Sequence, residues 1–251
     1  MHPILFQWGC FTLYSYGVMV ALGMLVGTGI IAVQLKRRIG VNDFLPTWIL
    51  IIMLSAFIGA RSLHALYYPD LFWANPLAFM CSTGGLVWYG GFLGGLLAFL
   101  GLAYRSAYAV LPLADAFVPG VLVGLALGRV GCFLAGCCYG TPCLIEALAV
   151  HFPVGHPLYD VGVHPVQLYE SLGALVLVGA MYLGGKHTSR AGLNMTIFLL
   201  GYGVLRFALE YLRGDKLMLA QTLSASQWMS LLAILAGLCL GFYHIFRLRK
   251  T

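Results

Sequence analysis

The sequence predicts an all-α integral membrane protein, and three observations carry that reading. Of its 251 residues, 61% are apolar and only 9% are charged, against about 25% charged in ordinary soluble domains. The apolar residues gather in seven runs of about the 20 residues that a membrane-crossing helix requires. The cations of the connecting segments follow alternate runs and so share one side of the membrane, as positive-inside topology demands. The whole chain, 1–251, is therefore expected to form a single polytopic membrane domain with short loops.

The runs follow one another along the chain at 14–35, 44–67, 84–104, 115–135, 165–184, 192–213 and 225–246. The first is long and lacks a basic segment before it, so it reads as a retained span and not as a cleavable leader. The third and fourth are interrupted by glycine and proline. Gly90, Gly91, Gly94 and Gly95 in the third allow close helix contact. Pro165 suits the opening turn of the fifth. The segment from about 136 to 164, with Pro142, Pro153 and Pro157, reads as an irregular or re-entrant loop.

Lys36, Arg37 and Arg38 follow the first run, Arg105 the third, Lys186 and Arg190 the fifth, and Arg247, Arg249 and Lys250 close the chain. In a seven-span arrangement these share one side, while Asp70, Glu146 and Asp160 lie on the other beside few cations such as Arg213 and Lys216. The N-terminus is then outside and the C-terminus cytoplasmic. The net charge of +6 accordingly points to membrane lipid and its anionic head groups, with no nucleic acid as partner.

Charges inside spans are costly and mark function by default. Arg61 falls in the second run, Arg129 late in the fourth, and Arg206, Glu210 and Arg213 along the sixth. Tyr202, Arg206 and Glu210 are spaced by four and share a helix face that Arg213 continues. Arginines in a membrane cavity suit a phosphate-bearing head group, through forked, charge-assisted hydrogen bonds. A structural Arg206–Glu210 ion pair is the alternative. Gly128 and Gly131 flank Arg129, where a bare backbone allows close approach of a ligand. His164 opens the fifth run, either as a titrating group or as one that fixes the loop.

Four of the seven cysteines, Cys132, Cys137, Cys138 and Cys143, crowd the end of the fourth run and the loop after it. They admit four readings: buried neutral thiols, a disulfide of Cys137 or Cys138 with Cys143, a nucleophilic thiol activated by Arg129, or a zinc site. The spacing C-x4-C-C-x4-C is not a usual one for zinc. Cys10, Cys81 and Cys239 read as small membrane-compatible residues.

Taken together, the motifs resemble the prolipoprotein diacylglyceryl transferase family. The resemblance rests on Tyr16-Gly17, Gly59-Ala60-Arg61, Gly90-Gly91, Gly128-Arg129-x-Gly131 and His164-Pro165-x-Gln167-Leu168-Tyr169-Glu170. Its most specific part is Tyr202-Gly203-x-x-Arg206-Phe207-x-x-Glu210-x-x-Arg213, followed by Ser224 and Gln227. It covers nearly the whole chain, in order.

The resemblance implies a multi-pass enzyme of the bacterial inner membrane. It would transfer the diacylglyceryl group of phosphatidylglycerol to the lipobox cysteine in a prolipoprotein signal peptide, releasing glycerol phosphate. It implies no cofactor and no metal. It makes Arg129 and Arg206 the catalytic cations, and Tyr16, Arg61, Gly128, Gly131, Tyr202, Glu210 and Arg213 the substrate-binding set. Tyr89 joins the catalytic group because it stands where the family usually has a histidine. Cys132 replaces an asparagine, and Ala135-Gly136-Cys137 replaces Asn-Gly-Glu. These departures keep two alternatives in view: a phospholipid-dependent transferase with another acceptor, and a non-catalytic lipid-binding paralogue. A transporter fits less well, since no paired inverted-repeat pattern is visible.

Overall fold

A computed structural model describes residues 2–9, 11–81, 87–153, 158–187, 190–214 and 223–248. It is helical almost throughout. Among the described residues, six helices are long and apolar enough to cross a membrane: α1 (Ser15–Arg38), α2 (Leu45–Tyr67), α6 (Val110–Ala135), the Val166–Gly185 part of α7 (Val166–His187), the continuous stretch Leu193–Tyr211, and the Ala225–Tyr243 part of α10 (Ala225–Leu248). Their outward faces carry exposed leucines such as Leu25, Leu54 and Leu232, which suits hydrocarbon as solvent. Two short helices, α3 (Pro69–Ala74) and α4 (Pro76–Cys81), follow α2.

The third expected span corresponds to α5 (Trp88–Arg105), of 18 residues. It is not among those six. Its five glycines and terminal Arg105 dilute the apolar character, and at 1.5 Å per residue it reaches only about 27 Å. Lys216 and the terminal Arg249 and Lys250, which entered the topology argument, lie outside the described residues, as do Cys10 and Pro157.

One element departs from an all-α reading. Residues Ile4–Trp8 (β1) and Phe11–Tyr14 (β2) pair as an antiparallel hairpin, with Trp8 opposite Phe11 and Gln7 opposite Thr12. Gly9, at φ 58°, supplies the left-handed turn residue. The backbone N–H of Ser15 donates to the Pro3 carbonyl and its hydroxyl to His2, tying the hairpin to the start of α1.

The chain divides into two compact units, one of Met1–Gln34 with Ala114–Thr251, the other of Leu35–Leu113. In the second unit α2 packs on α5 backbone to backbone. A Cβ added at Gly90 would lie 2.7 Å from Leu63 Cβ and collide with the Gly59 carbonyl, so the glycines of α5 set this approach. Arg61 is buried there, donating from Nη1 to the Phe79 carbonyl at 3.3 Å and lying 5.6 Å from the Phe57 ring centroid.

In the first unit α1 meets α6 through Gly23 and Gly124, where an added Cβ would come within 2.9 Å of the facing carbonyl. Val118, Leu122 and Ala126 of α6 form a core with Ala174 and Met181 of α7. The sixth span changes character midway: α8 (Leu193–Ile197), a π turn (Phe198–Tyr202), then α9 (Gly203–Tyr211). A π turn re-registers the residues after it and is frequent at functional sites. Here it directly precedes the face carrying Arg206 and Glu210.

Candidate active site

The first unit gathers the intramembrane charges of three helices. Arg129, near the end of α6, pairs through Nε with Glu170 Oε2 of α7 at 3.0 Å. Tyr202 donates its hydroxyl to the other oxygen of Glu170 at 2.7 Å. The same phenol lies within electrostatic reach of both Arg129 and Arg206, so it links the two halves of the cluster. Arg206 pairs with Glu210 at 2.8 Å and donates from Nη2 to the Ser226 hydroxyl of α10 at 3.0 Å. Arg213 approaches Glu210 at 4.0 Å.

The burial of these groups is unequal. The Glu170 and Glu210 side chains are 1% and 3% exposed, while Arg129 retains 16% and Arg206 13%. The carboxylates are thus the buried supports and the guanidinium groups face an accessible side. Among the described residues, this cluster sets three arginines beside two carboxylates. The Arg129 and Arg206 ion pairs are close in distance but not aligned as hydrogen bonds. Each guanidinium has five N–H donors, more than these contacts use, which suits a further anion.

Beside Arg129 lie the cysteines. Cys132 is one helical turn on from it, and Gly136 (φ 76°) and Cys138 (φ 61°) turn the chain back just after α6. The backbone N–H of Cys137 donates to the Cys132 carbonyl at 3.1 Å, and Gln167 Nε2 holds the Cys137 carbonyl at 2.7 Å. As a result the sulfurs of Cys132, Cys137 and Cys138 all lie within 4.8 Å of one another, as free thiols. The Cys138 thiol is held well below its ordinary range, first by hydrogen bonds from Cys132 and Cys137 and then by Arg129 and Arg213. The Cys137 thiol is pushed up, because those neighbours stabilise its protonated form and burial disfavours its charge.

The loop after α6 is anchored across the unit. Thr141 N donates to the Leu212 carbonyl at 2.7 Å and Gly214 N to the Tyr139 carbonyl at 3.2 Å. These bonds draw Arg213, at the end of the sixth span, towards the cysteine turn. Gly140 N donates to the His164 carbonyl at 3.1 Å, and His164 Nδ1 lies 3.4 Å from the Tyr169 hydroxyl. That arrangement gives His164 a place in fixing the loop.

The sequence-derived residues divide accordingly. Arg129, Tyr202, Arg206, Glu210 and Arg213 come together. Tyr16, exposed in the first turn of α1, is within electrostatic reach of Arg129 and the three thiols. Gly131 faces α1, where an added Cβ would lie 3.4 Å from Tyr16 Cα and 3.0 Å from Met19 Cβ. Gly128 borders open space. Arg61 and Tyr89 belong to the other unit, Tyr89 in the first turn of α5 with its ring edge-on to Trp88.

Two partners were not singled out from the sequence. Glu170 was visible only as the last residue of a motif, although an acid inside a span is itself a signal. Ser226 had no signal of its own. Its neighbours Ser224 and Gln227 cap α10 reciprocally, at 2.9 and 3.2 Å, and so place Ser226 against Arg206.

A multi-span helical protein with a buried, cation-rich cluster at the junction of three helices is a membrane-embedded protein with an anion-suited site. The chain belongs to the prolipoprotein diacylglyceryl transferase family, whose sequence profile matches residues 3–243. It is therefore a transferase and a multi-pass protein of the bacterial cell membrane. It is 29% identical over 250 residues to the phosphatidylglycerol–prolipoprotein diacylglyceryl transferase of Clostridium tetani, covering 100% of both chains. It is 30% identical to the second such enzyme of Clostridium perfringens, over 94% of this chain and 92% of that one. With the Polynucleobacter necessarius enzyme it shares 32% identity, over 95% and 94% of the two chains.

Proposed function

We propose that this protein transfers the diacylglyceryl group of phosphatidylglycerol to the lipobox cysteine thiol in a prolipoprotein signal peptide, with glycerol phosphate as leaving group. The observation that carries the reading is the cluster of Arg129, Arg206 and Arg213 about the buried Glu170 and Glu210, within a chain of this family. Displacing a phosphodiester oxygen from carbon builds negative charge on the phosphate. Preorganised cations in a water-poor site stabilise that charge far more than they would in water.

Arg129 and Arg206 hold the phosphate, each steadied from behind by a buried carboxylate, Glu170 and Glu210. Tyr202 fixes Glu170 and thereby the Arg129 guanidinium. Arg213 adds positive field at the end of the same helix face. Tyr16 and the backbone at Gly128 and Gly131 line the approach. Tyr89 and Arg61 enter by their places in the family pattern, Tyr89 as the residue standing where a histidine is usual.

The test supplies the purified protein with phosphatidylglycerol vesicles and a lipobox peptide, and follows the peptide mass. A gain of one diacylglyceryl group on the cysteine is expected, with release of glycerol phosphate. An unmodified peptide beside a modified alternative acceptor would hand the site to a different transferase reaction.

We also propose seven spans, with the N-terminus outside, so that the cysteine turn and the 136–164 loop face outward. Reporter fusions at Thr251 and near Asp160 are expected on opposite sides of the membrane. Finding both on one side removes this topology.

A further inference from the structure

We propose that Cys132, Cys137 and Cys138 form a three-thiolate zinc site whose open fourth position takes the acceptor thiol of the transfer reaction. The spacing C-x4-C-C is unusual for zinc in sequence, but the fold removes the objection. Two left-handed residues, Gly136 and Cys138, reverse the chain directly after α6 and bring the three sulfurs within 4.8 Å of one another. Tetrahedral zinc, with Zn–S bonds of about 2.3 Å, needs its sulfurs about 3.8 Å apart, so closure takes only side-chain adjustment. A non-glycine residue at φ 61° is costly and persists where its surroundings fix it. Here the Gln167 bond to the Cys137 carbonyl and the loop's bonds to Leu212 and Gly214 do so.

Among the described residues, no fourth histidine, cysteine or carboxylate joins the group. Three protein ligands with one open position are the arrangement of a catalytic zinc, whereas structural sites are closed by four. Cys132 is buried, Cys137 exposed and Cys138 between them, so the group is held by the protein on one side and reachable from the other. Arg129 and Arg213 lie within electrostatic reach of Cys138, so their positive charge offsets that of a thiolate group.

The inference rests on the transfer reaction proposed above and supplies the step its sequence leaves open. A thiol that coordinates zinc loses its proton outright, here to water. The resulting thiolate attacks the glyceryl carbon. A C–S bond forms as the C–O bond to phosphate breaks, and the electron pair leaves with glycerol phosphate beside Arg129 and Arg206. No side-chain base is then required, which accounts for a chain that carries Tyr89 in place of a histidine while gaining cysteines at Cys132 and Cys137.

The test is made on the full-length protein, reduced, in phosphatidylglycerol-containing nanodiscs. Metal analysis after zinc loading and dialysis is expected to find one ion per chain, lost in the Cys132→Ser, Cys137→Ser, Cys138→Ser triple variant and weakened at least tenfold in Cys137→Ser alone. Because a triple variant can misfold, the unaltered protein is also stripped with chelator and reloaded with Co²⁺. Thiolate-to-cobalt charge-transfer absorption is expected, and the visible bands are expected to shift when a lipobox peptide is added but not when its Cys→Ser form is.

Unaltered protein that binds no more metal than the triple variant, or whose thiols are found paired in a disulfide before reduction, overturns the site. Metal bound without any response to the peptide thiol overturns its role in transfer. Diacylglyceryl transfer by fully stripped protein overturns the inference and leaves the transferase reading intact. A thiol-responsive cobalt spectrum without any transfer does the reverse.

Discussion

Two buried charged groups in the same unit behave differently, and the difference separates architecture from chemistry. Asp115, near the start of α6, is fully buried. One of its carboxylate oxygens accepts from Gly192 N at 2.6 Å and the other from Met195 N at 2.9 Å, while its backbone carbonyl accepts from Asn194 Nδ2 at 2.9 Å. It caps the first turn of α8 from a distant helix, a negative charge at the positive end of a helix dipole. The cluster of Arg129, Arg206 and Arg213 is not closed in this way. Among the described residues it sets three guanidinium groups beside two carboxylates, and those guanidinium groups keep an accessible side. Burial of a charge is therefore not the mark of a site. The mark is a charge that keeps an accessible side.

The comparison is broken most directly at the arginines. Arg129→Ala and Arg206→Ala are each expected to lower the transfer rate by about 10²–10³-fold, the range for losing one preorganised donor to a developing anion. Arg129→Lys keeps the charge and loses the fork, so it is expected to recover part of the rate. The measurement is the initial rate of lipobox-peptide modification, normalised to protein that remains monodisperse in detergent. Near-normal rates in both alanine variants would make the cluster architectural, like Asp115.

Asp115→Asn sharpens the other side. An amide offers one carbonyl oxygen where the carboxylate offered two, so one of the two backbone donors, at Gly192 or Met195, is orphaned in a buried place. The expected cost is about 1–3 kcal/mol of stability, read as a lower midpoint of thermal unfolding in detergent. The rate per folded molecule is expected to stay unchanged. A normal midpoint with a depressed rate would move Asp115 into the chemistry.

What the sequence made legible follows from the range over which its patterns act. Arg206 and Glu210 are one helical turn apart, so their meeting is fixed by the α-helical period, and the structure pairs them at 2.8 Å. The pairing of Arg129 with Glu170 depends on how α6 packs on α7, through Ala126, whose carbonyl accepts from Ser171 at 3.0 Å, and no periodicity reports that. Asp115 passed unnoticed because it sits at the very end of a run, where an acid resembles a loop residue.

The hairpin of β1 and β2 was hidden because its apolar strands merge with the first span, leaving only Gly9 as a turn signal. The cysteine group is the clearest case. Its spacing argued against a metal site, and only the left-handed conformations at Gly136 and Cys138 bring the sulfurs together. The third apolar run was legible as a helix, but the glycines that let α5 pack on α2 also leave it less apolar than the six helices that qualify to cross a membrane.

The smallest expected effect belongs to Tyr89→Phe, and it tests where the acceptor proton goes. A tyrosine phenol titrates near 10 in water, so it serves as a general base near neutral pH only when strong neighbouring cations favour the phenolate. If Tyr89 did so, removing its hydroxyl would cost about 10²–10⁴-fold, the usual worth of general acid–base catalysis. The rate would also lose the limb of its pH profile that rises with ionisation of that phenol. If the thiol is instead ionised within the three-cysteine group or by Arg129, the hydroxyl contributes at most one positioning hydrogen bond of about 1 kcal/mol. A loss of tenfold or less, with the shape of the pH profile retained, is the outcome expected here. A loss beyond 10²-fold, with that limb of the profile gone, would instead place Tyr89 in the path of the proton.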